Sequence, residues 1–309
     1  MKILISDKLQ DEGIKIFEEN GFEVIKKFTI TNEELKEEIR DYDGIVVRSR
    51  TKLTAEILEN AKNLKVIGRA GVGLDNIDRK KAAEMNIEVL NTPEAPAVSV
   101  AEFALGLMLT LARKISYADR TTHEAQWNKN ECLGYTLNGR KLGLLGFGNI
   151  AKHLAKIAIV MGMDVGVYSR FSKGQVAIDE AKEIGCSIYP SVEDLLKEAQ
   201  IISLHLPSSP QTENIINEER INLMRKDSLL INTARGDLLD EKALLKALKN
   251  KNIAGAALDV YREEPLKNQN LINWNENLIL TPHIASQSLE NQTAAATMIA
   301  EKMSNFLKK

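Results

Sequence analysis

The chain has 309 residues, with 41 basic against 43 acidic side chains, 44% apolar and 27% charged residues, and a formal net charge of −2. That length suits about two ordinary domains, and the near balance of charge, with no basic block, argues against a nucleic-acid-binding surface. No apolar run approaches the roughly 20 residues of a membrane span, and no signal-peptide pattern precedes the opening strand. Cys132 and Cys186 stand in neither metal-ligand nor redox spacing, so the expectation is a cytoplasmic protein without membrane partner or structural metal.

Short β-type runs at 2–6, 22–25, 44–47, 65–67 and 87–90 alternate with helical patterns at 11–19, 33–40, 54–60 and 78–85. Thr31 with Glu34 three residues on is a capping-box pattern. One long apolar helix is expected over 99–122, with Phe103, Leu107 and Leu111 on one face. That face reads as core, as a bridge between domains or as a dimer interface, rather than as a cofactor site. A second alternating block follows, with strands at 141–145, 164–168, 201–205, 228–232, 253–258 and 278–280. The last helix, 289–307, is too small for a domain and is expected to return to the first block.

The most specific segment is Gly146-Phe147-Gly148-Asn149-Ile150-Ala151, set between the strand at 141–145 and a helix expected over 149–161. In a dinucleotide fold the first glycine turns the chain, the second admits a pyrophosphate to the backbone, and a small third residue lets helix pack on strand. Unpaired N–H groups at the helix start then face the anion, which nominates Gly146, Gly148, Asn149 and Ile150 as cofactor contacts. The α/β alternation on both sides of this motif gives two doubly wound parallel-sheet domains. One is Rossmann-type and dinucleotide-binding, residues 98–283. The other is flavodoxin-like, discontinuous and substrate-binding, residues 1–97 with 284–309.

In an open parallel sheet the ligand crevice lies beyond the C-terminal ends of the strands. His205, before Leu206-Pro207, is either a cofactor-loop residue or a strand terminator. Asn232-Thr233-Ala234-Arg235-Gly236 sets a guanidinium at a strand end, suited to binding a carboxylate and polarising a carbonyl. Asp259 ends another strand, and Glu264 follows it before Pro265, in what is otherwise a solvated acidic loop. His283, in Thr281-Pro282-His283, is either a general acid–base or a structural histidine, and a neighbouring carboxylate would hold one tautomer. His123 and His153 lie in helical patterns and read as surface or capping residues. In the first block Arg48 and Arg50 flank Ser49, and Arg69 precedes Gly71-Val72-Gly73. Arginines clustered at a crevice point to an anionic ligand, the alternative being a solvated basic patch.

Together these segments resemble the D-isomer-specific 2-hydroxyacid dehydrogenases over nearly the whole chain. The ordered matches are 47–51, 68–78, Ser99-Val100-Ala101-Glu102, the glycine fingerprint, 232–236, Asp259-Val260-Tyr261 with Glu264-Pro265, and Thr281-Pro282-His283. The run 68–78 and the paired arginines resemble the branch acting on 3-phosphoglycerate in serine biosynthesis. The resemblance implies His283 as the acid–base, Glu264 as its partner and Arg235 on the substrate carboxylate. It implies Arg48, Ser49, Arg50, Arg69 and the backbone of Gly71, Val72 and Gly73 on the substrate. Val72, His205, Leu206, Pro207, Thr233, Ala234, Arg235, Asp259, His283 and Ala285 would line the cofactor, with Asp259 facing the nicotinamide amide. Hydride would pass between substrate C2 and the nicotinamide ring in a homodimer joined through the helix after Ser99.

NAD-using relatives carry an acid after the second strand of the cofactor domain; here Ser169-Arg170 follows, with Lys173 nearby, which leaves NAD or NADP open. Glu94-Ala95-Pro96-Ala97 replaces residues usually polar in the family. The chain stops at Lys309, without the serine-binding domain of longer relatives, so no serine feedback through such a domain is expected. The competing expectations are an NADPH-preferring glyoxylate or hydroxypyruvate reductase, and a non-catalytic nucleotide sensor similar to transcriptional corepressors.

Overall fold

A computed structural model describes residues 1–170 and 174–309, and these form two compact units, Met1–Pro96 with Ser286–Lys309, and Ala97–Ala285. The first unit alternates β1 (Lys2–Ile5), α1 (Asp11–Glu19), β2 (Glu23–Lys26), α2 (Asn32–Glu38), β3 (Gly44–Val47), α3 (Ala55–Leu58), β4 (Val66–Arg69), α4 (Arg79–Glu84) and β5 (Glu88–Asn91). Its sheet has the order β2-β1-β3-β4-β5 with every pairing parallel. The central strands are buried on both faces, as parallel sheets under helical layers require. Ile3, Ile5, Val46 and Val66 face one layer, with Ile14, Phe17, Ile299 and Met303. Leu4, Ile45, Val47 and Ile67 face the other, with Leu35, Ile39, Leu53 and Ile57. The C-terminal helix α13 (Leu289–Leu307) supplies Ile299 and Met303, and so belongs to this unit. The Thr31–Glu34 capping box forms at the start of α2.

The second unit contains α5 (Ala97–Ala112), α6 (Ile115–His123), β6 (Lys141–Leu145), α7 (Asn149–Val160), β7 (Asp164–Tyr168), α8 (Gln175–Ile184), β8 (Ser187–Ile188) and α9 (Val192–Glu198). It continues with β9 (Ile201–Leu204), α10 (Glu218–Leu223), β10 (Leu229–Asn232), α11 (Glu241–Lys249), β11 (Gly255–Leu258), α12 (Gln269–Ile272) and β12 (Leu278–Leu280). The strand order is β12-β11-β10-β9-β6-β7-β8, again all parallel. The Rossmann order 3-2-1-4-5-6 is contained in it, with one further strand at the edge. The direction of strand addition reverses between β6 and β9, and between β1 and β3 in the first unit. Those are the two places where such sheets open a crevice.

Three expectations need correction. The helix expected over 99–122 is two helices, because the Ala112 carbonyl accepts the Tyr135 N–H at 3.0 Å instead of continuing the ladder, and Lys114 turns left-handed at φ 55°. The buried face of α5 runs through Ala97, Ala101, Ala104, Met108 and Ala112, whereas of the expected face Leu107 alone is buried. Those small residues let α5 lie close on the core shared with α7. Third, β8 was not expected, since two residues carry no readable period. Among the described residues no helix is long and apolar enough to cross a membrane.

Candidate active site

At the switch point of the second unit, β6 ends in Gly146 with φ 101°, a left-handed conformation that glycine adopts without strain. A Cβ there would stand 2.3 Å from the His205 carbonyl oxygen, so any side chain would push apart the loops that follow β6 and β9. Gly148 is the N-cap of α7 and offers no side-chain cap, and a Cβ built on it meets nothing within 4 Å. A bare helix N-terminus beside open backbone is suited to a pyrophosphate. His205 itself is half-buried, with Nε2 2.9 Å from Ser203 Oγ, and burial pushes its pKa down to about 4. The ring is therefore neutral at physiological pH and brings no charge to the switch point. Ser169 and Arg170 directly follow β7, and Arg170 is exposed; Lys173 lies outside the described residues.

Further along the same sheet edge, three loops from distant sequence positions meet. Asn232 is fully buried: its amide donates to the Arg235 carbonyl at 2.8 Å and its Oδ1 accepts from the Ala234 N–H at 3.1 Å, which curls 232–235 into a tight turn. Gly236 then packs on the next loop so closely that a Cβ would fall 1.9 Å from the Tyr261 carbonyl carbon. The Tyr261 phenol, within reach of the Leu258 carbonyl at 3.1 Å, donates to the Thr281 carbonyl at 2.8 Å and so ties the second loop to the third. Burial, followed by the charge of Asp259, pushes that phenol up to about 12 and keeps it a donor.

Asp259 is completely buried and organises the third loop. Its Oδ1 accepts from Thr281 Oγ1 at 2.6 Å and the Ile284 N–H at 2.9 Å, and its Oδ2 from the Ala285 N–H at 2.8 Å. Between those anchors His283 is held at φ 55°. This conformation costs a non-glycine residue on the order of 1–3 kcal/mol and persists only where its surroundings dictate it. Its Nδ1 lies 2.7 Å from Glu264 Oε2, while Glu264 Oε1 accepts the Tyr261 N–H at 3.0 Å. Both carboxylate oxygens are thus oriented, Nδ1 is committed to Glu264, and Nε2 is the ring nitrogen left available on a half-exposed side chain.

Arg235 thus stands on a loop packed directly against the one that carries Glu264 and its link to His283. Thr233 adds a buried hydroxyl without a protein partner in this turn. Ala285 is buried, with its N–H on Asp259 and its carbonyl accepting from Ser99 Oγ at 2.9 Å, which joins the loop to the start of α5. Leu206 is partly buried and Pro207 exposed beyond β9. Among the described residues no group of three or more His, Cys, Asp or Glu side chains could hold a metal ion.

In the first unit, Arg48, Ser49 and Arg50 follow β3, and Arg69 is the last residue of β4 rather than part of the loop beyond it. Burial pulls the Arg48 guanidinium below its ordinary pKa, opposed by Asp7. Arg69 Nη1 donates to the Ala70 carbonyl at 3.2 Å and fills the space that a side chain on Gly71 would need. The carbonyls of Gly71 and Val72 accept from the Thr92 N–H and the Asn91 amide, so the 71–73 loop has a set direction. Tyr261, Thr281, Asn232 and Asp7 are the contributors that reading for chemistry missed. All act through buried hydrogen bonds, and a tyrosine or threonine in a strand-end motif carries no mark of that.

Residues 105–285 match the family model described as "D-isomer specific 2-hydroxyacid dehydrogenase, NAD binding domain". The chain is 43% identical over all its length to a D-3-phosphoglycerate dehydrogenase of Methanocaldococcus jannaschii, and covers 58% of that protein. It is 39% identical over 98% of its length to a hydroxypyruvate reductase of Thermotoga maritima, of which it covers 97%. Among solved structures it superposes on the TT0316 protein of Thermus thermophilus with a TM-score of 0.88 and 32% identity, over 100% of this chain and 97% of that one. The chain spans little more than half the length of the phosphoglycerate dehydrogenases it matches.

Proposed function

We propose that this chain, which belongs to the D-isomer specific 2-hydroxyacid dehydrogenase family, interconverts D-3-phosphoglycerate and 3-phosphohydroxypyruvate in the cytoplasm, as a step of serine biosynthesis. The observation that carries this reading is the Glu264–His283 pair at 2.7 Å, on a loop network shared with Arg235. When bound, the nicotinamide cofactor supplies hydride acceptance and donation. Gly146, Gly148, Asn149 and Ile150 would hold its phosphates. Thr233, Ala234, Asp259 and the His205–Pro207 loop would hold the remainder, the bare N-terminus of α7 and the unpartnered Thr233 hydroxyl being suited to that.

Arg235 binds the substrate carboxylate and polarises the C2 oxygen. His283 Nε2 takes the C2 hydroxyl proton in the oxidation and returns it in the reduction, while Glu264 on Nδ1 stabilises the imidazolium that forms. Arg48, Arg69 and the 71–73 backbone receive the distal anionic group. The exposed Ile115, Trp127 and Leu133 in the second unit support assembly as a homodimer around α6, which sedimentation of wild type and Trp127→Glu would check.

A second reading, an NADPH-preferring glyoxylate or hydroxypyruvate reductase, is favoured by Ser169 and Arg170 after β7, where a 2′-hydroxyl reader would be acidic. Steady-state rates with 3-phosphohydroxypyruvate, hydroxypyruvate and glyoxylate, each with NADH and NADPH, separate the two. The first reading expects kcat/KM for the phosphorylated acid to lead by at least about tenfold, the worth of one charge-assisted contact. Equal or better rates with glyoxylate would overturn it.

A further inference from the structure

Where the strand order of the first unit reverses, between β1 and β3, the carboxylate of Asp7 is buried. A buried carboxylate is unfavourable unless its oxygens are fully engaged. Here they are. Oδ2 accepts the Arg48 N–H at 2.6 Å and the Thr51 N–H at 3.2 Å. Oδ1 accepts Thr51 Oγ1 at 2.8 Å and Arg50 Nε at 2.9 Å. Every one of those donors lies on the loop 48–51, which is wrapped around a single internal anion.

The two arginines of that loop are consequently unlike. The guanidinium of Arg50, although half exposed, has each of its nitrogens engaged: Nε on Asp7, Nη1 on the Ile30 carbonyl at 3.2 Å, and Nη2 on the Ser6 carbonyl and Thr51 Oγ1. Arg48 has one long bond, from Nη1 to the Lys8 carbonyl at 3.4 Å. From the other side, the Asn76 amide donates to the Arg48 and Thr51 carbonyls at 2.8 and 2.7 Å, so the backbone that carries Arg48 is gripped at both ends.

Resting on the substrate role proposed above for the first unit, we infer that Asp7 and Arg50 are a positioning pair. They lock the loop 48–51 so that Arg48 meets the anionic group of the substrate, while Arg50 itself makes no contact with it. A guanidinium on an unlocked loop must be ordered at each binding event, and a pre-ordered one is not, so the pair acts on affinity rather than on the chemical step.

The test combines Arg50→Ala, Arg50→Lys, Asp7→Asn, Arg48→Ala and the Arg48→Ala/Arg50→Ala double variant. The readouts are KM and kcat for 3-phosphohydroxypyruvate, NADH affinity by fluorescence, and amide exchange of residues 48 and 51 without substrate. Arg50→Ala and Asp7→Asn are expected to raise KM by about tenfold, with kcat and NADH affinity within about twofold, and to speed exchange at 48 and 51. Arg50→Lys should restore most of the protection and of KM. In the Arg48→Ala background, Arg50→Ala should change KM by less than about twofold, because it acts through Arg48.

A further tenfold rise in the double variant would mean that Arg50 touches substrate, and would overturn the inference while leaving the substrate role intact. Unchanged exchange in Arg50→Ala would overturn it independently of any activity. No KM change in Arg48→Ala would instead remove the substrate role itself, and the positioning role with it.

Discussion

The two sheets follow one topological rule and equip their switch points in opposite ways. Between β1 and β3 the first unit places ionisable side chains: a buried Asp7 carboxylate ringed by the loop of Arg48 and Arg50. Between β6 and β9 the second unit places almost none: a glycine turn, an uncapped helix start and a histidine held neutral by burial. The ionisable groups of its described site, Arg235, Asp259, Glu264 and His283, stand instead on the loops after β10, β11 and β12. The difference shows that the crevice of a doubly wound sheet comes from strand order, whereas its electrostatics are set independently by the first few residues after each strand. Fixed guanidinium groups suit a compact, doubly charged acid, and backbone N–H groups suit a pyrophosphate approached at close range.

Removing the proposed proton carrier should produce the largest effect and leave the neutral switch point untouched. His283→Ala should lower kcat by about 1,000-fold, within the usual range for losing a general acid–base, with NADH affinity unchanged. A titration that found weaker NADH binding and ordinary turnover would reverse the division of labour between the two edges. Next comes the contact that joins the loops: Gly236→Ala forces a Cβ onto the Tyr261 backbone and should destabilise the protein by about 1–3 kcal/mol. Thermal unfolding measures this, and an unchanged Tm would mean that the loops are not pressed together as described.

Charging the neutral edge tests the comparison from the other direction. Because the folded-state pKa of His205 lies near 4, below the ordinary value of 6.5, its contribution to stability is present above about pH 6.5 and declines as the pH falls toward 4. Wild type should therefore lose roughly 1–3 kcal/mol more than His205→Gln across that window. Parallel Tm–pH curves for the two proteins would contradict a ring kept neutral by desolvation. The smallest effect belongs to Arg170: its replacement by Ala should weaken NADPH about tenfold and NADH less than twofold, if its guanidinium reads a 2′-phosphate. Equal losses in paired fluorescence titrations would assign it to neither.

Much of this was readable beforehand, and the exceptions share a cause. α1, β3, β6, β7, β12 and α13 begin and end where period, caps and turn residues place them, because such signals are local. The interruption between α5 and α6 was not readable, because the group that takes the Ala112 carbonyl comes from Tyr135, far along the chain. Arg48 and Arg50 look interchangeable in Arg48-Ser49-Arg50; they differ only because Asp7, Ile30 and Asn76 arrive from three other segments. Asp7 itself reads as an ordinary loop acid until the sheet buries it.

Taken alone, the residue order determined the α/β alternation, the glycine turn before α7, and which side chains stand at strand ends, since each depends on neighbours within a few positions. Tertiary structure decided the rest: that Asp259 holds the histidine loop, and that of the paired arginines it is Arg50 whose guanidinium closes on Asp7. Those outcomes depend on hydrogen bonds between loops roughly 20 to 50 residues apart in sequence, and buried polar groups select such partners only once the sheets have brought the strand ends side by side.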